Sequence, residues 1–172
     1  MKQKYIDLYN DFSERTAKLS HARRLQVGAV IVKDDTVISY GYNGMPSGWD
    51  NNCEDKEFMS GVEHGLSPEE IESQWPFEEW VSAHGRKMRF KLKTKPEVLH
   101  AESNAIAKLA KSNNSGMGAT MFITHAPCLD CAKLIFQSGI GSVLYRDAYR
   151  DTGGVAFLEK SGVEVVQIKK GP

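Results

Sequence analysis

The sequence predicts an α/β fold. Three observations carry that expectation: from residue 101 onward, helical stretches and short strand-like runs alternate; an earlier pair of β-branched runs is joined by two aspartates; and glycines stand where helices should stop. At 172 residues the chain is long enough for one domain, 1–172, whose core needs no disulfide.

Taken in order, Tyr5, Ile6, Leu8, Tyr9, Phe12 and Leu19 fall mostly on one helical face between charged residues, which predicts an amphipathic first helix. "QVGAVIVKDD" reads as a strand and "DDTVISYGYNG" as its hairpin partner, with Asp34 and Asp35 in the turn. The next stretch, about 45–97, holds four of the six prolines and all three tryptophans. It is expected to be a long irregular insertion with one helix, "SPEEIESQW", capped by Ser67 and carrying Pro68 at its first position. A helix over about 101–112, a strand "ATMFITH", a helix from Pro127 to about Ser138, a strand "GSVLYR", a helix near 155–160 and a strand "VEVVQI" complete the order. Gly139 and Gly162 sit at the expected C-caps of the last two helices.

No apolar run approaches the roughly 18 residues a membrane span needs. The N-terminal "MKQKYIDLYNDFSERTAKLS" is charged throughout and lacks the apolar core of a signal peptide, so a cytoplasmic location is expected and no membrane partner. Lys plus Arg and Asp plus Glu both number 22, a balance that argues against a nucleic acid polymer as partner. Three cysteines, two of them in C-x-x-C, point to metal or redox chemistry ahead of a disulfide framework.

The chemistry is concentrated in two short motifs. In "HAPCLDC", Cys128 and Cys131 lie three apart after a strand and at a helix start, so both sulfurs share a face and the positive helix end favours their thiolates. In "VLHAESNAI", His100 and Glu102 stand at the head of another helix. One imidazole and two thiolates form a three-ligand zinc set, and three protein ligands leave a coordination position for catalysis. Glu102, near the metal without binding it, suits a proton shuttle. H-x-E followed by P-C-x-x-C is the signature of zinc nucleobase deaminases.

With "QVGAVIV", "GYNGMPSG", "VLHAESNAI", "MFITHAPCLDCAKLIFQSGI" and "AYRD" in this order, the chain resembles the deoxycytidylate (dCMP) deaminase family within the cytidine deaminase superfamily. "GYNGMP" ahead of "HAE" is the most specific part. The resemblance implies a three-layer α/β/α fold with a five-stranded mixed sheet. It also implies zinc-dependent hydrolysis of dCMP to dUMP and ammonia, which supplies dUMP for thymidylate synthesis. A hexamer is implied as well, activated by dCTP with Mg2+ and inhibited by dTTP. By the same resemblance His100, Cys128 and Cys131 would bind zinc and Glu102 would move protons. Asn43 would meet the deoxyribose, the Ala101 backbone the pyrimidine, and Arg24, Tyr149 and Arg150 the phosphate. Gly44, Asp50 and Lys111 would face an effector. Arginine's bidentate fork supports the phosphate roles on chemistry alone, and an Asn amide can both donate to and accept from a sugar hydroxyl.

Other readings stay open on the residues themselves. Cys128 and Cys131 can be a thioredoxin-like redox pair. Asn43 beside Gly44 can be a turn residue with positive φ. Cys53, His64 and His84 invite a second metal site, although their spacing fits no compact ligand motif. "HGRKMRFKLKTK", residues 84–95, is either a solvated or subunit-contact face or a nucleic-acid groove. With the zinc chemistry kept, the substrate can instead be dCTP, cytidine or tRNA adenosine, and a zinc-stabilised nucleotide-sensing module is the non-enzyme alternative.

Overall fold

The computed structural model describes residues 1–59 and 65–168. The chain order is α1 (Gln3–Ala17), β1 (Gly28–Lys33), β2 (Thr36–Tyr42), β3 (Glu54–Phe58), α2 (Pro68–Gln74), β4 (Phe77–Val81), β5 (Arg86–Thr94), α3 (Ala101–Ala110), β6 (Thr120–His125), α4 (Leu129–Gln137), β7 (Ser142–Asp147), α5 (Gly153–Lys160) and β8 (Glu164–Gln167).

The main sheet has five strands in the order β2-β1-β6-β7-β8. It is mixed: β1 runs antiparallel to both β2 and β6, while β6, β7 and β8 run parallel through the α4 and α5 crossovers. Strand alternation divides β1 between two cores. Ala29 and Ile31 join Met121, Ile123, Val143 and Ala105 under α3, α4 and α5, whereas Val30 and Val32 pack with Phe122, Leu144 and Tyr9 under α1. Helices on both faces make the three layers, as the resemblance implied.

Local chemistry agrees with the elements. Asp34 and Asp35 take φ of 49° and 55°, the paired left-handed geometry of a tight hairpin turn. Ser67 and Glu70 form a reciprocal capping box at the head of α2, with Pro68 in the first turn. Gly139 follows α4 and Gly162 follows α5 with φ of 78° and 79°.

The 45–97 stretch differs from the sequence expectation. Beyond the expected helix it contains a second, three-stranded antiparallel sheet in the order β3-β5-β4. Phe90 at its centre stacks on Phe77 with ring centroids 5.4 Å apart and tilts against Phe58 at 5.5 Å. The opposite face pairs charges across strands, Lys91 with Glu57 at 2.8 Å and Arg89 with Glu78 at 3.2 Å, while Lys56 pairs with Glu79 on the Phe90 face, its ammonium 5.0 Å from the Phe90 ring centre. The basic run 84–95 is therefore mostly strand β5, with Arg89, Lys91 and Lys95 each paired to a neighbouring carboxylate.

Candidate functional site

The site forms at one edge of the main sheet. There β6 and β7 end at His125 and Asp147, β2 ends at Tyr42, and antiparallel β1 begins at Gly28. Ligand clefts form at the carboxyl ends of parallel strands, because the chain must leave the sheet there in loops that lead into helix N-termini.

Two helices start at this edge on the residues singled out by sequence. His100 is the N-cap of α3 and Cys128 the N-cap of α4, both in extended backbone. His100 Nδ1 lies 3.6 Å from Cys128 Sγ and 3.4 Å from Cys131 Sγ. The three candidate donor atoms all fall within 4.8 Å of one another, and among the described residues no other group of metal-ligand type is gathered in this way. One ring nitrogen and two sulfurs suit zinc, and a three-donor set leaves one tetrahedral position free of protein. Burial, with Glu102 and Cys128 adding to it, pushes the Cys131 thiol above the ordinary thiol range, opposite to the effect expected of the helix start, so zinc binding would have to displace its proton.

Glu102 is 4% exposed, in the first turn of α3. Burial raises its carboxyl above the usual carboxylate range, opposed in part by its own backbone N–H, by His100 and by Cys131. Close backbone contact sets this helix head. A Cβ on Gly41 of β2 would overlap the Ala101 carbonyl and the Ala105 nitrogen, so only glycine lets α3 lie this near the strand.

A cavity of about 370 Å³ opens beside the cluster and draws its walls from across the chain. His100, Ala101, Glu102 and Cys128 meet Arg24, Asn43, Tyr149 and Arg150 there. The two arginines reach one cavity from opposite ends of the sequence, and the Arg150 guanidinium carbon stands 5.9 Å from the Tyr149 ring centre. Asn43 does not have positive φ. Its Oδ1 accepts from the Val27 N–H at 2.8 Å and its Nδ2 donates to the Leu25 carbonyl at 2.8 Å, so the amide clasps the 25–27 backbone, and among the described residues its second Nδ2 proton has no acceptor. Glu54, Thr94, Val98 and His125 also line the cavity and were not foreseen. Glu54 and Thr94 belong to the second sheet, and no spacing links them to either motif.

Gly44 lies in a second cavity of about 410 Å³, together with His21, Tyr42, Trp49, Asn104 and Lys108. Asp50 and Lys111 do not line it. The Asp50 carboxylate accepts from the Asn52 N–H at 3.2 Å, and Lys111 is the exposed C-cap of α3, one turn past Lys108. Two backbone hydrogen bonds tie Gly44 to Leu99, the residue before His100, at 3.1 and 2.9 Å. Cys53 is buried against Ala22, Val98 and Met45, His84 is exposed in a 3-10 turn after β4, and neither joins a metal group; His64 lies outside the described residues.

Comparison with known proteins agrees with this arrangement. A family model described as the cytidine and deoxycytidylate deaminase zinc-binding region matches residues 3–146. The deoxycytidylate deaminase of Enterobacteria phage T4 is 36% identical over 155 residues, covering 84% of this chain and 80% of the phage protein. ComE operon protein 2 of Bacillus subtilis is 30% identical, covering 91% of this chain and 67% of that protein. The crystal structure of the dCMP deaminase from cyanophage S-TIM5 in complex with dCMP and dUMP superposes with a TM-score of 0.73 at 34% identity, covering 99% of each chain. A matching model that spans the metal cluster, joined to relatives this similar over most of both chains, means that this protein belongs to the deoxycytidylate deaminase family of the cytidine deaminase superfamily.

Proposed function

We propose that the protein hydrolyses dCMP to dUMP and ammonia. One observation carries this reading: a three-donor metal cluster, a buried carboxylate that does not belong to it, and two arginines share the walls of a single cavity. A nucleobase deaminase needs a nucleophilic water, a proton carrier and, for a nucleotide, cations to hold the phosphate. The match of the cyanophage structure with dCMP and dUMP supports the choice of substrate.

His100, Cys128 and Cys131 would hold zinc, which supplies the Lewis acidity that makes water a competent nucleophile near neutral pH. Glu102 would accept a proton from the attacking water and pass it to the ring nitrogen beside the reacting carbon; it would then take the second proton from the hydroxyl so added and give it to the amino group, so that the C–N bond breaks, ammonia leaves and the carbonyl of dUMP forms. Its raised pKa suits this exchange, because a carboxyl that titrates nearer neutrality both takes and gives protons readily. Ala101 presents backbone to the pyrimidine, and the free amide proton of Asn43 serves the deoxyribose. Arg24, Tyr149 and Arg150 take the phosphate.

The second cavity is the proposed effector site, with dCTP and Mg2+ activating and dTTP inhibiting. Gly44, named from the sequence, lines it, and Lys108 supplies a cation for the nucleotide there, while Asp50 and Lys111 stay outside its lining. The proposed assembly is a hexamer in the cytoplasm, with a solution mass six times the 19.2 kDa of the chain.

The test is ammonia release from dCMP by the zinc-loaded protein, with and without dCTP plus Mg2+, beside a Glu102→Gln control. Release should drop by at least about a hundredfold in the variant while zinc content holds. A zinc-loaded wild type that releases ammonia from cytidine or dCTP and none from dCMP would move the assignment to that substrate.

A further inference from the structure

We infer that Glu54 is a positioning residue for nucleotide recognition: from the second sheet, its buried carboxylate fixes the 23–24 backbone so that Arg24 meets the 5′-phosphate of the substrate. This rests on dCMP being the substrate, and it assigns a role in substrate choice to the sheet inserted between the two halves of the fold.

The Glu54 side chain is 1% exposed, yet the residue lines the cavity. Its Oε1 accepts the consecutive backbone N–H groups of Arg23 at 2.9 Å and Arg24 at 3.2 Å, while Oε2 faces Arg23 Nε at 3.3 Å. Every one of these donors comes from the same two residues. The Arg23 guanidinium is held further by the Glu54 carbonyl at 3.3 Å and by Asn52 Oδ1 at 3.1 Å. Arg23 is thereby committed to the second sheet, and its charge neutralises a carboxylate that would otherwise face an incoming phosphate.

Arg24 is left differently placed. Among the described residues its guanidinium has no carboxylate partner; Nη1 donates to Thr94 Oγ1 at 3.0 Å at the cavity wall. Glu54 opens β3, Thr94 closes β5, and the two are direct cross-strand partners. One rung of the second sheet therefore carries both anchors of Arg24, one on its backbone and one on its side chain. A cation with its backbone pinned and its charge unspent is preorganised for a ligand anion, since little ordering remains to be done on binding.

The experiment is steady-state kinetics on dCMP, with deoxycytidine as competitive inhibitor, for wild type, Glu54→Gln, Thr94→Val, Arg24→Ala and the Glu54→Gln/Arg24→Ala double variant. Zinc content and melting temperature are recorded for each. Glu54→Gln should raise KM for dCMP about tenfold, with kcat and the inhibition constant of deoxycytidine held within about twofold. Thr94→Val should raise KM about threefold, and Glu54→Gln should add nothing further once Arg24 is alanine. Equal weakening of dCMP and deoxycytidine, or effects of Glu54→Gln and Arg24→Ala that multiply, would reduce Glu54 to a structural brace. Should Glu54→Gln not fold, an unchanged KM in Thr94→Val overturns the inference. A wild type inactive on dCMP is a separate result: it removes the substrate reading itself, whatever Glu54 does.

Discussion

Cys131 and His125 carry the residue-level consequences of burying ionisable groups at one sheet edge. The Cys131 thiol is held protonated by burial, Glu102 and Cys128, so metal entry has to expel its proton. Adding zinc to metal-free protein in weak buffer should acidify the solution, and zinc affinity should climb with pH; pH-independent binding would show that Cys131 is not a ligand. His125 lies at the end of β6 with its basicity lowered by burial and by Arg146, against the opposing pull of Asp147. Because its folded pKa falls below 6.5, the unfolded chain binds the proton more readily as pH drops past that value. Its contribution to stability is intact above about 6.5 and declines below it until the folded pKa is reached. Urea midpoints recorded from pH 7.5 to 5.5 should therefore fall more steeply in wild type than in His125→Asn. Parallel curves would remove His125 as a source of acid sensitivity.

At the level of elements, the helix starts are what aim the chemistry, and backbone contact sets them. The first turn of α5 presses on the metal loop: a Cβ on Gly154 would overlap the Pro127 carbonyl and the Cys128 backbone. Gly154→Ala should cost about 1–3 kcal/mol of stability and weaken zinc retention, since it pushes on the loop that carries Cys128. Gly162, past the other end of α5, has φ of 79° with open space around it. Gly162→Ala should cost about 1 kcal/mol from left-handed strain and leave zinc retention alone. Chemical denaturation with zinc analysis separates the two; equal zinc loss in both would mean that α5 acts on the site only through global stability. Strand β5 carries its signal in its own residues. In "RKMRFKLKTK", Met88, Phe90 and Leu92 alternate with Arg89, Lys91 and Lys93, which is strand period, whereas its high charge alone reads as a solvated or contact face.

For the whole molecule, the two cavities share a continuous piece of backbone. Asn43 lines one, Gly44 lines the other, and Gly44 is paired to Leu99 beside His100. Asn104 reaches from α3 to the Tyr42 carbonyl at 2.8 Å and lines the second cavity, so it links the proposed effector site to the helix that carries Glu102. Asn104→Ala should raise the dCTP concentration for half-maximal activation by about three- to tenfold. Titration of the dCMP rate with dCTP and Mg2+ checks it; an unaltered midpoint would place the effector elsewhere.

What the sequence alone determined was everything that depends on neighbours along the chain. The alternation of helix and strand, the Asp34-Asp35 turn, the Ser67 cap and the zinc-ligand spacing are local patterns, and local backbone physics enforces them. The tertiary structure alone decided which distant residues share a wall. Arg24 meets Arg150, and Glu54 and Thr94 close the cavity from a separate sheet, because strand order and cross-strand register bring them to one edge. It also decided how Asn43 spends its amide, since a hydrogen-bond partner such as Leu25 or Val27 is chosen by proximity in the folded chain, which residue type does not encode.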